Sequence, residues 1–248
     1  MQVYHLALRP VERGVLPKFN FITDPKEADC ILVTGGDGAI LHSLGFLIKH
    51  GITDTPILGF NTGHVGFLSN DLTQEQLLEI IGCDYVDPNF VEERCLLQVI
   101  MNNGASVYAL NDCVFQTLKY GKLFELDAII DGRSVVNYKG DGLIVSTATG
   151  STAYNLSAGG PIVAPTLDII TVTPICPFTM AARSIVLSGN SIIDVFPKEP
   201  CALSCDGIIT TLECTAKIRK APFTLKLVKY TKFYDAIKYK LGWNQNIK

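Results

Sequence analysis

The spacing of apolar positions along this 248-residue chain changes character about a third of the way along. Up to about residue 83, apolar runs of strand length alternate with stretches of helical period. Residues 2–8 alternate as a first strand, residues 9–17 follow neither period and read as a loop, and Phe19-Asn20-Phe21-Ile22 reads as a short second strand. Asp24-Pro25-Lys26-Glu27 has the form of an N-cap followed by proline in the first helical position. Cys30-Ile31-Leu32-Val33-Thr34 is a continuous apolar strand that empties into Gly35-Gly36-Asp37-Gly38. From Ala39 onward Leu41, Leu44, Phe46, Leu47 and Ile48 make a broad helical face, which Gly51 ends. Pro56-Ile57-Leu58-Gly59-Phe60 reads as a parallel strand, and Thr73 with Gln76 forms a capping box for a helix reaching Gly82. Strands alternating with helices predict a doubly wound, Rossmann-like α/β domain over residues 1–88.

After residue 88 the period becomes two. Residues 95–101 and 107–110 flank Asn102-Asn103-Gly104, and residues 126–130 and 134–138 flank Asp131-Gly132; each set reads as a hairpin with a turn that favours positive φ. Further strands are expected near residues 169–172, 184–187, 192–196, 201–204, 208–214 and 223–228. This predicts a predominantly antiparallel, β-sandwich-like domain over residues 89–228. Residues 229–243 carry Phe233, Tyr234, Ile237 and Leu241 at helical spacing and are expected to form an amphipathic helix that needs a partner.

Composition narrows the classes. The chain is 48% hydrophobic and 18% charged, with net charge −3 and a pI near 5.8, so nothing in it suggests a nucleic-acid or anionic-membrane surface. It has no run of 18 apolar residues and no charged segment leading into an apolar signal core, so neither a membrane span nor a secretory leader is expected. The eight cysteines, at 30, 83, 95, 113, 176, 201, 205 and 214, mostly fall inside apolar runs with no CxxC among them. They are expected to be reduced, buried thiols of a cytoplasmic protein rather than zinc ligands.

Candidate chemistry lies in two glycine-rich stretches. Residues 139–161 hold five glycines and six serines and threonines, with only Lys139 and Asp141 charged. The strand Leu143-Ile144-Val145 runs into Thr149-Gly150-Ser151-Thr152, which can cap a short helix over residues 153–157. Strand, small-residue loop and helix start together offer backbone N–H groups and hydroxyls to an anion or a planar ligand. A tight crossover with no ligand is the other reading. In Gly35-Gly36-Asp37-Gly38 the glycines allow close backbone approach to phosphates at a helix N-terminus. An anion site would normally exclude the lone carboxylate, unless it ligates a cation or takes a proton from a hydroxyl.

Gly35-Gly36-Asp37-Gly38, residues 61–68 (Asn-Thr-Gly-His-Val-Gly-Phe-Leu), Asn111-Asp112 and residues 141–161 resemble, in order and spacing, the motifs of the ATP-dependent NAD kinases. The resemblance covers roughly residues 29–207. It implies transfer of the γ-phosphoryl of ATP to the 2′-hydroxyl of the adenosine ribose of NAD, with Asp37 as general base. It also implies a divalent cation such as Mg²⁺ carried by the substrate phosphates, with no protein metal site. The nucleotide-binding residues it implies are Gly35, Gly36, Asp37, Gly38, His42, Asn61, Asn111, Asp112, Lys139, Asp141, Thr152, Ala153, Tyr154 and Ser157. In this family the end of the chain returns to the first domain, and members form homodimers or homotetramers, so a homo-oligomer with an active site at a subunit boundary is expected. Each residue also has a plainer reading: Asp37 as a first-turn helix acid, Asn111-Asp112 as a bulge, Tyr154 as a core aromatic. The GGDG turn is shared with lipid and sugar-phosphate kinases, and a non-catalytic NAD-binding protein is a further alternative. Where the family commonly has Pro-His, Arg-Pro and a polar residue after Asp-Gly, this chain has Pro177-Phe178, Arg183-Ser184 and Ile208.

Overall fold

The structure, a computed structural model, describes residues 1–7, 16, 18–63, 66–119, 121–212 and 215–243. The expected loop at residues 9–17 (apart from Leu16 and Lys18 at its edge), His64 and Val65 of the 61–68 motif, and Cys214 lie outside them. The chain divides into two compact units, Met1–Arg94 with Thr224–Lys248, and Cys95–Phe223.

The first unit begins with strand β1 (Val3–Leu6), β2 (Cys30–Thr34), helix α1 (Asp37–His50), β3 (Ile57–Phe60) and helix α2 (Gln74–Ile81). β1, β2 and β3 run parallel, in the order β1-β2-β3. Every residue of β2 and β3 is buried, as expected of a strand covered on both faces. α1 starts at Asp37 rather than Ala39, with Gly36 as its N-cap, and ends at Gly51 in the left-handed region (φ 67°). The Thr73–Gln76 capping box forms as expected. Phe19-Asn20-Phe21-Ile22 is not a strand: only a bridge between Ile22 and Tyr4 forms, while Phe19 and Phe21 turn their rings onto the core formed by Val3, Leu32, Leu58 and Phe60.

The remaining strands are β4 (Val91–Met101), β5 (Ser106–Ala109), β6 (Asp112–Thr117), β7 (Phe124–Ile130), β8 (Arg133–Gly140) and β9 (Gly142–Thr147). Helix α3 (Tyr154–Ser157) follows, then β10 (Ile169–Ile175), β11 (Ile185–Ser188), β12 (Ile193–Pro197), β13 (Cys201–Cys205), β14 (Ile208–Thr211), β15 (Ala216–Val228) and helix α4 (Phe233–Lys240). In the second unit β11-β10-β9-β6-β13-β14 form an antiparallel sheet. β12 pairs antiparallel with β7 and with the start of β15, and β7 with β8. Phe115, Leu143, Val145, Val172 and Leu203 of the first sheet share one core with Leu126, Ala128, Ile193, Val195 and Ile218 of the second. The architecture is therefore α/β plus antiparallel β, as the change of period predicts.

β15 leaves the second unit and ends in the first, where Leu227 and Val228 pair parallel with Ile57 and Leu58 of β3. The closing helix is shorter than residues 229–243. Lys229 continues the extended backbone, its amide donating to the Phe90 carbonyl at 2.7 Å, and α4 starts only at Phe233. The expected helix over residues 153–157 is also interrupted. A 3₁₀ turn, Thr149–Thr152, precedes α3, and Ala153 between them sits at φ −97°, ψ −130°, outside helical space.

Candidate functional site

In the first unit the site grows from the β2–α1 turn. Gly35 holds φ 131°, a conformation side chains rarely adopt, and its amide donates to the Phe60 carbonyl at 3.0 Å. Among the described residues no side chain caps α1 at Gly36, and a Cβ added at Gly36 or Gly38 would meet nothing within 4 Å. At this end of α1 the helix dipole favours an anion.

Asp37, the first residue of α1, turns its carboxylate onto the 66–69 loop. Oδ2 accepts the Phe67 amide at 2.7 Å, while Oδ1 accepts the Leu68 amide at 3.0 Å and the Ser69 amide and hydroxyl at 3.1 Å each. Among the described residues Oδ1 thus accepts three hydrogen bonds and Oδ2 one, and Oδ2 faces Lys240 Nζ at 4.0 Å. The side chain keeps a quarter of its exposure (25%), so a reactant can reach it. Gly66 makes the arrangement possible, because any Cβ there would overlap the Asp37 carboxylate and the Ser69 hydroxyl.

The same loop is held from behind. Lys229 is fully buried, and its ammonium donates to the carbonyls of Leu68 (3.1 Å) and Ser69 (2.9 Å). Burial pulls it down to about 8, with Arg94 adding to the fall while Asp37 and Glu92 oppose it. Asn70, also fully buried, donates to the carbonyls of Gly59 and Val228 and accepts the amides of Tyr230 and Thr231. Of the other residues singled out here, His42 is exposed on α1, and Asn61 is buried with its side-chain oxygen accepting the Gly63 amide at 3.0 Å.

The second unit carries a parallel device. Asp206, at φ 48° in the β13–β14 turn, accepts the successive amides of Leu110 (2.7 Å), Asn111 (2.8 Å) and Asp112 (3.2 Å). The Asn111 carbonyl is taken by the Thr147 amide and the Ser146 hydroxyl, and it approaches Gly150 so closely that no side chain fits there. Asp112 is buried beside Asp206. Burial foremost and the Asp206 charge next push its carboxyl up to about 7, against the stabilising amide of Tyr154. Tyr154 is 38% exposed, so it is not a core aromatic. Its phenol is raised by burial first, then by Cys176, Asp141 and Asp112 around it. The structure thus brings Asp112, Asp141 and Tyr154 together. Lys139 is instead ion-paired with Glu125 at 3.3 Å, and Thr152 Oγ1 bonds back to the Thr149 carbonyl. Ala153 is half-buried and Ser157 exposed in the same segment.

Sequence reasoning passed over the residue that shapes this segment. Asn155 is fully buried; its amide donates to the carbonyls of Ser151 and Pro161, and its oxygen accepts the hydroxyls of Thr171 (3.2 Å) and Thr173 (2.7 Å). A polar residue flanked by Tyr154 and Leu156 was the available signal. Asp206-Gly207 between two strands was a signal for a positive-φ turn, but nothing local marks it as the acceptor for residues 110–112. Of the three departures, Phe178 and Ile208 are exposed, and Ser184 Oγ pairs with Thr173 Oγ1 at 2.6 Å.

The elevated Asp112 has a measurable consequence. Its folded-state pKa lies above the ordinary 3.8, so the stability it contributes is fully present below pH 3.8 and lost as pH rises to about 7. The loss is on the order of 4 kcal/mol. Chemical denaturation across pH 4–8 should show this slope in the wild type, and Asp112→Asn should lack it. Equal slopes would mean that Asp112 is not the buried acid.

Residues 21–81 match the family described as ATP-NAD kinase N-terminal domain, and residues 110–230 that described as ATP-NAD kinase C-terminal domain. A protein of Syntrophobacter fumaroxidans named NAD kinase is 38% identical over 94% of this chain and 85% of its own length. One of Pseudomonas entomophila with the same name is 35% identical over 98% and 87%. Among solved structures, yeast NADH kinase complexed with NADH superposes with a TM-score of 0.78 at 28% identity, covering 89% of this chain and 68% of that one. An NAD kinase from Archaeoglobus fulgidus in complex with ATP gives a TM-score of 0.70 at 29% identity, covering 86% and 82%.

Proposed function

The chain belongs to the ATP-NAD kinase family, and from that premise we propose that it transfers the γ-phosphoryl of ATP to the 2′-hydroxyl of the adenosine ribose of NAD, with Asp37 as the proton acceptor. The observation that carries the assignment is the single carboxylate at the start of α1, where among the described residues one oxygen accepts three hydrogen bonds and the other accepts one. In this reading Oδ2 takes the ribose hydroxyl proton as that oxygen bonds to the γ-phosphorus and the bond to ADP breaks. The first amides of α1 and the flanking glycines Gly35, Gly36 and Gly38 receive phosphate oxygens, with His42 and Asn61 at the margin of that site. Mg²⁺ arrives on the ATP phosphates and neutralises their charge.

Asn111, Asp112 and Asp141 serve as acceptors and donors for the dinucleotide's hydroxyls and carboxamide, and Tyr154 with Thr152, Ala153 and Ser157 encloses its rings. Lys139 contributes a cation. We further propose a homo-oligomer of the cytoplasm, where both substrates occur, with exposed Phe178, Met180 and Val186 as apolar side chains available for association. Sedimentation, with activity followed on dilution, tests this, and a fully active monomer contradicts it.

The direct test is incubation with ATP, Mg²⁺ and NAD, in which NADP must appear. Tyr154→Ala and Asp112→Ala should raise KM for NAD by about tenfold, the scale of a lost ring contact or buried hydrogen bond, with KM for ATP nearly unchanged. A raised KM for ATP alone would reverse the assignment of the two substrates.

A further inference from the structure

We propose that Lys229 is a positioning residue for Asp37, acting through the loop backbone that both side chains bind. The inference rests on the reading of Asp37 as proton acceptor. Both side chains bind the 67–69 stretch: its three N–H groups donate to the carboxylate, and the carbonyls of Leu68 and Ser69 accept from the ammonium. Leu68 donates its amide to Asp37 Oδ1 at 3.0 Å and gives its carbonyl to Lys229 Nζ at 3.1 Å. Ser69 does the same at 3.1 and 2.9 Å, and adds its hydroxyl to Oδ1. The Leu68 carbonyl and the Ser69 N–H belong to one peptide unit, and a hydrogen bond at one end of such a unit polarises the other, so the cation strengthens the Ser69 amide as a donor. Bonds to an ionised partner on both sides are also shorter and stronger than neutral ones.

The expense of this arrangement argues for a specific role. An ammonium buried to 2% exposure costs stability unless its partners repay it, and here two carbonyls receive it with no carboxylate among the described residues bonded to it directly. Arg94 nearby makes the burial less favourable still. A methionine would fill the same volume without that cost. What the lysine supplies and methionine cannot is a fixed orientation for the loop that holds Oδ1 with three donors and Oδ2 with one.

The test is a double-mutant cycle. Lys229→Met should lower kcat about 10- to 100-fold, the scale of a misplaced catalytic group, while KM for NAD and for ATP stays within about twofold, because Lys229 is placed behind the loop and touches neither reactant. Lys229→Arg, which retains charge and donors, should recover most of the lost turnover. In the Asp37→Asn background the same Lys229→Met change should cost less than about twofold, since the group it positions is gone. A loss that multiplies equally in both backgrounds would make Lys229 a general structural residue and overturn the inference, leaving Asp37 in its role. Wild-type turnover in Asp37→Asn would remove the proton-acceptor reading itself. Should Lys229→Met fail to fold, Lys229→Gln takes its place in the cycle. If neither folds while Lys229→Arg is fully active, the lysine serves stability alone and the inference falls.

Discussion

Asp37→Asn is expected to lower kcat by about 10²-fold or more, the scale of a lost general base, with KM for both substrates within a few-fold of wild type. The substitution is close to isosteric, but it cannot satisfy every donor around it. Three successive amides and the Ser69 hydroxyl converge on the two oxygens. If the asparagine oxygen takes the place of Oδ1, its NH₂ group meets the Phe67 N–H, donor against donor. That mismatch costs on the order of 1–3 kcal/mol, so the variant should also unfold at lower temperature. The two effects separate by experiment: kcat is measured well below the unfolding transition, and binding of NAD by calorimetry on the same sample. Retained turnover, or loss of binding in step with turnover, would contradict the role assigned to Asp37.

Asp206→Ala should be the most damaging change in the β-rich unit, although Asp206 is not among the residues proposed to touch substrate. It leaves the amides of Leu110, Asn111 and Asp112 without their acceptor and puts alanine at φ 48°. Lost acceptors and left-handed backbone together are expected to cost about 3–5 kcal/mol. Removing the Asp206 charge also removes the second cause of the elevated Asp112 carboxyl, which should then titrate at lower pH. KM for NAD should rise by about tenfold or more because Asn111 and Asp112 lose their support. Asp206→Asn, which tolerates the left-handed region and keeps one acceptor, should fall between the two. An alanine variant as stable as wild type would show that the turn is held by other means.

What could be read in the sequence was what local chemistry decides. The capping box at Thr73 and Gln76, the Asp131-Gly132 turn with both residues at positive φ, and the helix stop at Gly51 each depend on neighbours within a few positions. The continuous apolar run of β9 was equally legible, because Leu143 and Val145 face the shared core while Ile144 meets Val114, Ile175 and Ala158 on the other side. Phe19–Ile22 misled because aromatic residues satisfy a strand pattern and a core lid alike. Lys229 misled for a different reason. After an apolar run a lysine normally marks the return to solvent, and only partners 160 positions away reverse that expectation. The motif residues stood out in each unit, but the side chains that fix the backbone around them, Asn70 in the first unit and Asn155 and Asp206 in the second, bond mostly to backbone groups. Backbone carbonyls and amides have no sequence signature.

The span between Ser69 and Lys229 also bears on biosynthesis. A ribosome that has delivered the first two hundred residues has made every glycine of the GGDG turn, the 66–70 loop and Asp37, yet neither the ammonium behind that loop nor the strand that carries it exists. Joining them closes a circuit of 160 residues, a contact whose chain-entropy cost comes early and whose reward comes late. The nascent chain therefore holds the GGDG turn and the loop behind it without their support until residues 228–231 dock against Asn70, and premature termination before that point yields a protein with the motif intact and its scaffold open.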